Sequence, residues 1–402
     1  MKYEILFVNT KINDKENKGR EYVEYILVLF SILLSKSLYY ETYGQNNLLI
    51  PFLILTLIIL LFLIKRRLRT FSRTSIVYLL ILLLSVIGNP HLASNSFMVF
   101  ISLTTIAALF VSIMPFDTYA DKYYSIMKII MVLSLFRYIP ILFHLTTPFT
   151  PFFSIIGDQY QNFVIFSIYD EPGIFLNIIR NNSLWWEAGA FQLFVNFAFI
   201  FGILRNRVTT KDYILFLIVI ISTVSTTGIA VFAVLTLAFI LNKKKSKLFI
   251  MLFSFLIVSI FFTEYFSIAI SSKTDVRHGS TMSRLNDITL GSRIFYDNPI
   301  LGIGFGNIET VEKYKREYAY GTGSNTIFVF LAYLGLMSAS IFYPILNIRF
   351  LKYIGTSRKL LIQLSMLGLL MSTNMSIILL FYLVLFYSII PYIQTEDMSP
   401  KT

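Results

Sequence analysis

Apolar stretches recur along the whole chain, most of them roughly 15 to 20 residues long, close to what crosses the hydrocarbon core of a bilayer. The pattern predicts spans near residues 22–40, 48–64, 74–88, 97–114, 124–145, 187–204, 213–226, 228–241, 248–263, 325–347, 360–373 and 376–391. The fold class expected is therefore an all-α, polytopic integral membrane protein with about twelve transmembrane helices. Two stretches, 213–241 and 360–391, read either as one long helix or as a pair. Basic clusters at both ends of 213–241 favour pairs, because a single crossing would put them on opposite faces, and Ser225-Thr226-Thr227-Gly228 supplies a turn. The first span follows a polar segment without a small-residue cleavage site and reads as a retained signal anchor.

Two connections are long, about 146–186 and about 264–324, and the threading puts both on the external face. The chain then divides into N-terminal scaffold helices (1–145), a first external loop (146–186), central helices (187–263), a second and largest external loop (264–324) and C-terminal helices (325–402). All of this belongs to one membrane domain.

Composition agrees with the pattern. The 402 residues are 56% hydrophobic and 14% charged, against about 25% charged in ordinary soluble domains, which excludes a soluble enzyme. The formal charge of +12 raises nucleic acid as a partner, but the basic residues cluster beside span ends, as in Lys65-Arg66-Arg67, Arg205 to Lys211, Lys243-Lys244-Lys245 and Arg349 to Lys359. That is the distribution of cytoplasmic loops, so the bilayer is the partner, both termini are expected in the cytoplasm and no nucleic acid is. There is no cysteine. His91, His144 and His278 are scattered without metal-ligand spacing, so neither a metal nor another cofactor is expected.

The chemistry is expected in the two long loops. The first runs through Arg180-Asn181-Asn182-Ser183-Leu184-Trp185-Trp186-Glu187 into the sixth span. One reading is an interfacial aromatic belt, with Ser183 or Asn182 capping the helix and Glu187 near its N-terminus. The other makes Glu187 an acceptor-activating carboxylate beside the Arg180 cation, since ionisable groups at a span mouth are functional candidates. The second loop balances equal numbers of acidic and basic residues, but Arg277, Arg284 and Arg293 precede the glycine-rich segment Asp297 to Asn307. Guanidinium groups suit bidentate binding of phosphate oxygens. Gly302-x-Gly304-x-Gly306 is not a dinucleotide fingerprint, lacking the spacing and the preceding strand. It predicts a tight turn hugging or re-entering the membrane. Beyond it, 308–318 predicts a short amphipathic helix on the bilayer or over a cavity, with Glu309–Lys313 and Glu312–Arg316 pairs. Lys128 and Arg137 in the fifth span must face the bundle or snorkel, and Arg137 is placed to reach a substrate cavity.

At these residues the sequence resembles the bacterial O-antigen polymerase and ligase superfamily, most closely the oligosaccharide repeat-unit polymerases of O-antigen, capsule and exopolysaccharide synthesis. In that family an Arg-x-x-(x)-aromatic-x-Glu-x-Gly/Ser stretch opens the span after the first long external loop, as Arg180 to Ala190 does here. The later loop carries arginines, a Pro-x-x-Gly-x-Gly element and Ser/His-Asn before the next span, here Arg293, Pro299, Gly302, Gly304 and Ser324-Asn325. Two departures stand out. Many members have His-Asn where this chain has Ser324-Asn325, and Ser-Arg where it has Thr226-Thr227.

The resemblance implies a multi-pass bacterial plasma-membrane glycosyltransferase of class C type, metal-independent and inverting. It would move a growing glycan from undecaprenyl pyrophosphate to a hydroxyl of the next lipid-linked repeat unit on the external face. Its partners would be that lipid-linked oligosaccharide, the bilayer and a chain-length regulator. On this reading Arg293, Glu187 and Arg180 are catalytic, and Arg277, Arg284, Arg137, Asn325, Ser324 and His278 bind substrate. The alternatives are an O-antigen ligase and a lipid-linked oligosaccharide flippase or other secondary transporter. Transporters pair related halves around midplane polar sites, whereas here the halves differ and the polar residues concentrate outside.

Overall fold

The structure is a computed structural model that describes residues 14–35, 79, 81, 83, 95–142, 160–163, 166–169, 180–185, 187–241, 279–305, 307–317, 325–346, 355–376 and 378–389. The described chain is mostly helical. Its helices are α1 (Asp14–Leu33), α2 (Asn95–Ile113), α3 (Phe116–Leu142), α4 (Ala188–Leu204), α5 (Thr210–Ser222), α6 (Thr226–Ile240), α7 (Gly279–Asp297), α8 (Ile308–Glu317), α9 (Thr326–Leu334), α10 (Ala339–Leu346), α11 (Thr356–Ser372) and α12 (Leu379–Ile389). A 3-10 turn, Gly335–Ser338, joins α9 to α10. The expected spans near 48–64 and 248–263, and nearly all of 74–88, lie outside the described residues.

Both ambiguous stretches are pairs. Residues 210–240 fold as α5 and α6 around a turn in which Val224 adopts φ +49, and 356–389 as α11 and α12. Ser225 caps α6 by accepting a hydrogen bond from the Gly228 N–H at 3.3 Å. Among the described helices, Thr326–Leu346 is long and apolar enough to cross a membrane by itself, while α2 and α3 pass that test as a pair bent by 109°. Helices α4, α6 and α12 are apolar but shorter. The count of twelve spans therefore stays an expectation.

Helix α4 is buried on nearly every side, which is what a helix apolar all round requires. Helices α3, α5 and α6 pack on it, α11 lies along α6, and α12 packs on α2. Rings fill the centre: Tyr119, Tyr123, Phe201 and Tyr387 meet edge-on or tilted at 5.2–6.0 Å, the spacing aromatic pairs prefer.

The two ends of the bundle differ. At one, Arg205 binds Asp117 and Asp121, Lys122 pairs with Glu24, Lys128 pairs with Asp212, and Arg358 donates to the Ile203 carbonyl at 2.8 Å. Lys128 thus reaches the rim and is neutralised there, as its cost in hydrocarbon demands. Burial would raise the Asp212 carboxyl, but hydrogen bonds from Lys128, from the side chain and backbone of Thr209 and from Tyr124 hold it below the usual carboxylate value. At the other end lie Ser35, the segment 180–187, the α5–α6 turn, Asn325 and the α11–α12 turn.

The described chain is consistent with the all-α expectation, and that second end adds a few short strands to it. The first long loop forms a three-stranded antiparallel sheet of β1 (Tyr160–Phe163), β2 (Phe166–Tyr169) and β3 (Arg180–Ser183), in that order. β3 lies against α3 and α4. The second long loop supplies α7, a 19-residue helix, as well as α8.

Candidate functional site

β3 carries Arg180 to the mouth of the bundle. The Arg180 Nε donates to the Thr223 carbonyl at 3.2 Å, at the C-terminal end of α5 where unsatisfied carbonyls carry partial negative charge. Next to it, the Asn181 amide donates to Ser134 Oγ of α3 at 3.1 Å and Ser222 Oγ of α5 at 3.0 Å. Arg180 is thereby fixed by its neighbour to two helices.

From the other side, α7 brings Arg284 to the same turn. Its Nη1 donates to Thr227 Oγ1 at 3.1 Å. Two guanidinium groups, from loops about a hundred residues apart, therefore bracket residues 223–227. Thr227 is one of the two positions at which the resemblance noted above would lead one to expect Ser-Arg. Here a cation reaches that place from α7 instead.

The turn packs on the first turns of α4, the helix that Glu187 opens. Gly228 approaches the Gln192 side chain so closely that an added Cβ would lie 2.8 Å from it, and the Asn196 amide donates to the Gly228 carbonyl at 3.3 Å. Gln192 in turn donates to the Gly189 carbonyl at 2.9 Å, and the Glu187 carboxyl lies over Gly189, within 4 Å of where its Cβ would stand. Glu187 is the N-cap residue of α4 and makes no side-chain cap. The residue is half-buried, and its carboxylate is not spent on the helix end.

The N-cap at Glu187 corrects the expectation that Ser183 or Asn182 caps this helix, since both belong to β3. The aromatic belt is corrected too. Trp185 is fully buried, its Nε1–H donates to the Ser35 carbonyl at 3.0 Å, and its ring stacks on Phe194 at 4.4 Å. It anchors the loop to the core. Trp186 lies outside the described residues.

Arg293 stands apart. It follows Arg284 by nine residues, two and a half turns and about 13 Å along the axis, so it points from the opposite face of α7. Its side chain is 45% exposed, 3.5 Å from Asp297 and over the Tyr296 ring at 5.8 Å. Arg137 is 6% exposed, one turn beyond Ser134 on α3. Asn325 is buried and its Oδ1 caps α9, accepting from the Ile327 and Phe328 N–H groups at 3.1 and 3.4 Å. Arg277, His278 and Ser324 lie outside the described residues.

The glycine segment braces the bundle. Ile303 N donates to the Ala332 carbonyl at 3.0 Å and Gly304 N to the Tyr333 carbonyl at 2.9 Å. Gly302 has φ +67, and a Cβ there would lie 2.4 Å from the Tyr333 backbone carbon. The expected tight turn thus reaches about 10 Å down α9. Helix α8 then covers a cavity of about 240 Å³, with Val311 and Tyr314 packed on Leu290, Ile294, Ile303 and Ala332. Of the ion pairs expected on α8, Glu312 bonds Lys315 at 2.7 Å, one residue short of the expected Arg316.

Asp287, a residue the loop's charge pattern did not single out, lines this cavity at 4% exposure. Its signal in the sequence is its position one turn beyond Arg284 on the helix face that carries Leu290, Gly291 and Ile294. Among the described residues, no group of three or more His, Asp or Glu side chains is arranged to hold a metal ion.

Residues 213–342 match the family model described as O-antigen ligase, which supports the O-antigen polymerase and ligase superfamily. The matched stretch runs from α5 into α10 and contains the α5–α6 turn, Arg284, Arg293, the glycine turn, α8 and Asn325. Arg180, Glu187 and Arg137 precede it. No curated protein matches the chain.

Proposed function

We propose that the protein is an oligosaccharide repeat-unit polymerase of the plasma membrane, acting at the external face on undecaprenyl pyrophosphate-linked glycans. The observation that carries this reading is the convergence of Arg180 and Arg284 on the α5–α6 turn, at the end of the bundle opposite its basic rim, where Glu187 opens the neighbouring α4. The leaving group of such a transfer is an anionic pyrophosphate, and two guanidinium groups fixed in advance by neighbouring hydrogen bonds are suited to its developing charge. Glu187 orients or deprotonates the acceptor hydroxyl. That oxygen attacks the anomeric carbon from the face opposite the pyrophosphate, the C–O bond to phosphate breaks, and configuration inverts without a metal ion. Arg293, on the outer face of α7, serves as a further contact for the carrier phosphates, with Arg277, His278 and Ser324 at the same loop. Arg137 and Asn325 support the mouth from within. The whole chain works as one membrane domain with both termini cytoplasmic, and the product is O-antigen, capsule or exopolysaccharide.

The family model's description favours a second reading, transfer of the finished glycan once to a different acceptor lipid. The test is the purified protein in nanodiscs supplied with lipid-linked repeat units from its own locus. A ladder of lipid-linked products supports polymerisation. A single transfer that needs an added acceptor supports the ligase, and translocation of intact lipid without transfer supports a flippase.

A further inference from the structure

The cavity beneath α8 has a chemistry distinct from that of the arginine pair. Most of its lining is apolar, including Leu290, Ile294, Val311 and the rings of Phe305 and Tyr333 at 5.1 Å between centroids. Into this apolar wall are set four polar side chains, Asp287 from α7, Lys315 from α8, and Asn374 and Ser376 from the α11–α12 turn. That turn is held rigidly. Asn374 Oδ1 accepts from the Ser376 N–H at 3.0 Å and its hydroxyl at 2.6 Å, and Thr326 Oγ1 bonds the Thr373 carbonyl while accepting from Met375 N at 2.8 Å.

Each alternative occupant conflicts with this lining. A phosphate would meet the Asp287 carboxylate. An isoprenoid chain would make no use of the four polar side chains, and at about 240 Å³ the space falls below the roughly 300 Å³ lower bound of drug-sized sites, too small for a long hydrocarbon chain. A sugar ring fits. Its C–H face packs on aromatic rings, and its hydroxyls both donate and accept. Asp287 accepts only, Lys315 donates only, and the Asn374 amide and Ser376 hydroxyl supply further polar contacts.

We infer that this cavity is a monosaccharide subsite, in which Asp287 and Asn374 bind hydroxyls of one sugar ring of the lipid-linked glycan. The inference rests on the glycan-transfer reading above. Asp287 lies three residues beyond Arg284, about 4.5 Å along α7, so the ring is held one helical turn from the guanidinium that faces phosphate. The subsite thereby selects which sugar stands next to the reacting centre.

The test is saturation-transfer NMR on the full chain in nanodiscs, with methyl glycosides of glucose, galactose, mannose and N-acetylglucosamine as probes and inorganic pyrophosphate as a control. At least one glycoside is expected to receive saturation at its ring protons. Asp287→Asn and Asn374→Ala should weaken that binding about tenfold or more, Arg284→Ala should leave it intact, and all variants should elute as monodisperse protein. In the polymerisation assay Asp287→Asn should raise KM for lipid-linked substrate at least about tenfold with kcat within about threefold. Absence of glycoside binding, or equal binding by Asp287→Asn, overturns the subsite. A wild-type protein that binds glycosides through Asp287 but transfers nothing overturns the polymerase reading and leaves the sugar site standing.

Discussion

At the scale of single residues, what matters at the mouth is which charges are brought together. Arg180 and Arg284 meet at one turn, whereas Arg293 leaves α7 from the opposite face toward Asp297. Replacing Arg284 by Ala is therefore expected to reduce transfer more than replacing Arg293, and Arg284→Lys should recover only part of the loss, because a point charge cannot reproduce a planar fork. Rate assays of the three variants on one lipid-linked substrate check the order. Trp185→Phe removes the bond to the Ser35 carbonyl and should cost about 1–3 kcal/mol of stability, read by thermal unfolding in detergent. Much at this scale was legible beforehand. The types Arg, Glu and Asn and their loops could be read from spacing, but the partner of each arginine could not, because it depends on which helix face a long loop presents. Asp287 escaped notice for the same reason, since its significance lies in burial. Trp185 was misread because its position in sequence, at a span mouth, is the same for a belt residue and for a core anchor.

Among elements, helix pairs were readable and strands were not. The basic residues at both ends of 213–241 favour two helices over one, and the stretch does fold as two, α5 and α6. The four-residue strands carry no period long enough to detect. Two junctions tie elements together, one at each end of the bundle. Gly302 lets the turn at 302–304 bond the carbonyls of Ala332 and Tyr333. Gly302→Ala introduces both a left-handed side chain and a backbone clash, and is expected to lower stability by several kcal/mol and to loosen α7 from α9, seen as faster hydrogen exchange at 328–334. The second junction is Asp212, which joins the Thr209 cap to Lys128. Its carboxyl is held below the usual value, so its contribution is full above the ordinary carboxylate pKa near 3.9 and is lost as pH falls through the folded value. Asp212→Asn should destabilise by about 1–3 kcal/mol at neutral pH, and the gap to wild type should narrow on acidification below about pH 4.

As a whole the described bundle is polarised, with the ion pairs of Arg205, Lys122 and Lys128 and the basic rim at one end and the arginine pair, sheet and cavity at the other. The absence of cysteine makes this testable with single substitutions. Glu317→Cys on α8 should react with a membrane-impermeant maleimide in intact spheroplasts, and Thr210→Cys only after permeabilisation. The reverse pattern would invert the topology.

The measurement that bears most directly on the central claim is single-turnover transfer from undecaprenyl pyrophosphate-linked repeat units by the purified chain, comparing wild type with Arg180→Ala, Arg284→Ala and the double variant. If both guanidinium groups stabilise one leaving pyrophosphate, each single change should slow transfer by about a hundredfold, near 2.7 kcal/mol. The double variant should then fall well short of the product of the two losses. Wild-type rates in both single variants, with product still formed, would contradict the assignment of this turn as the catalytic centre.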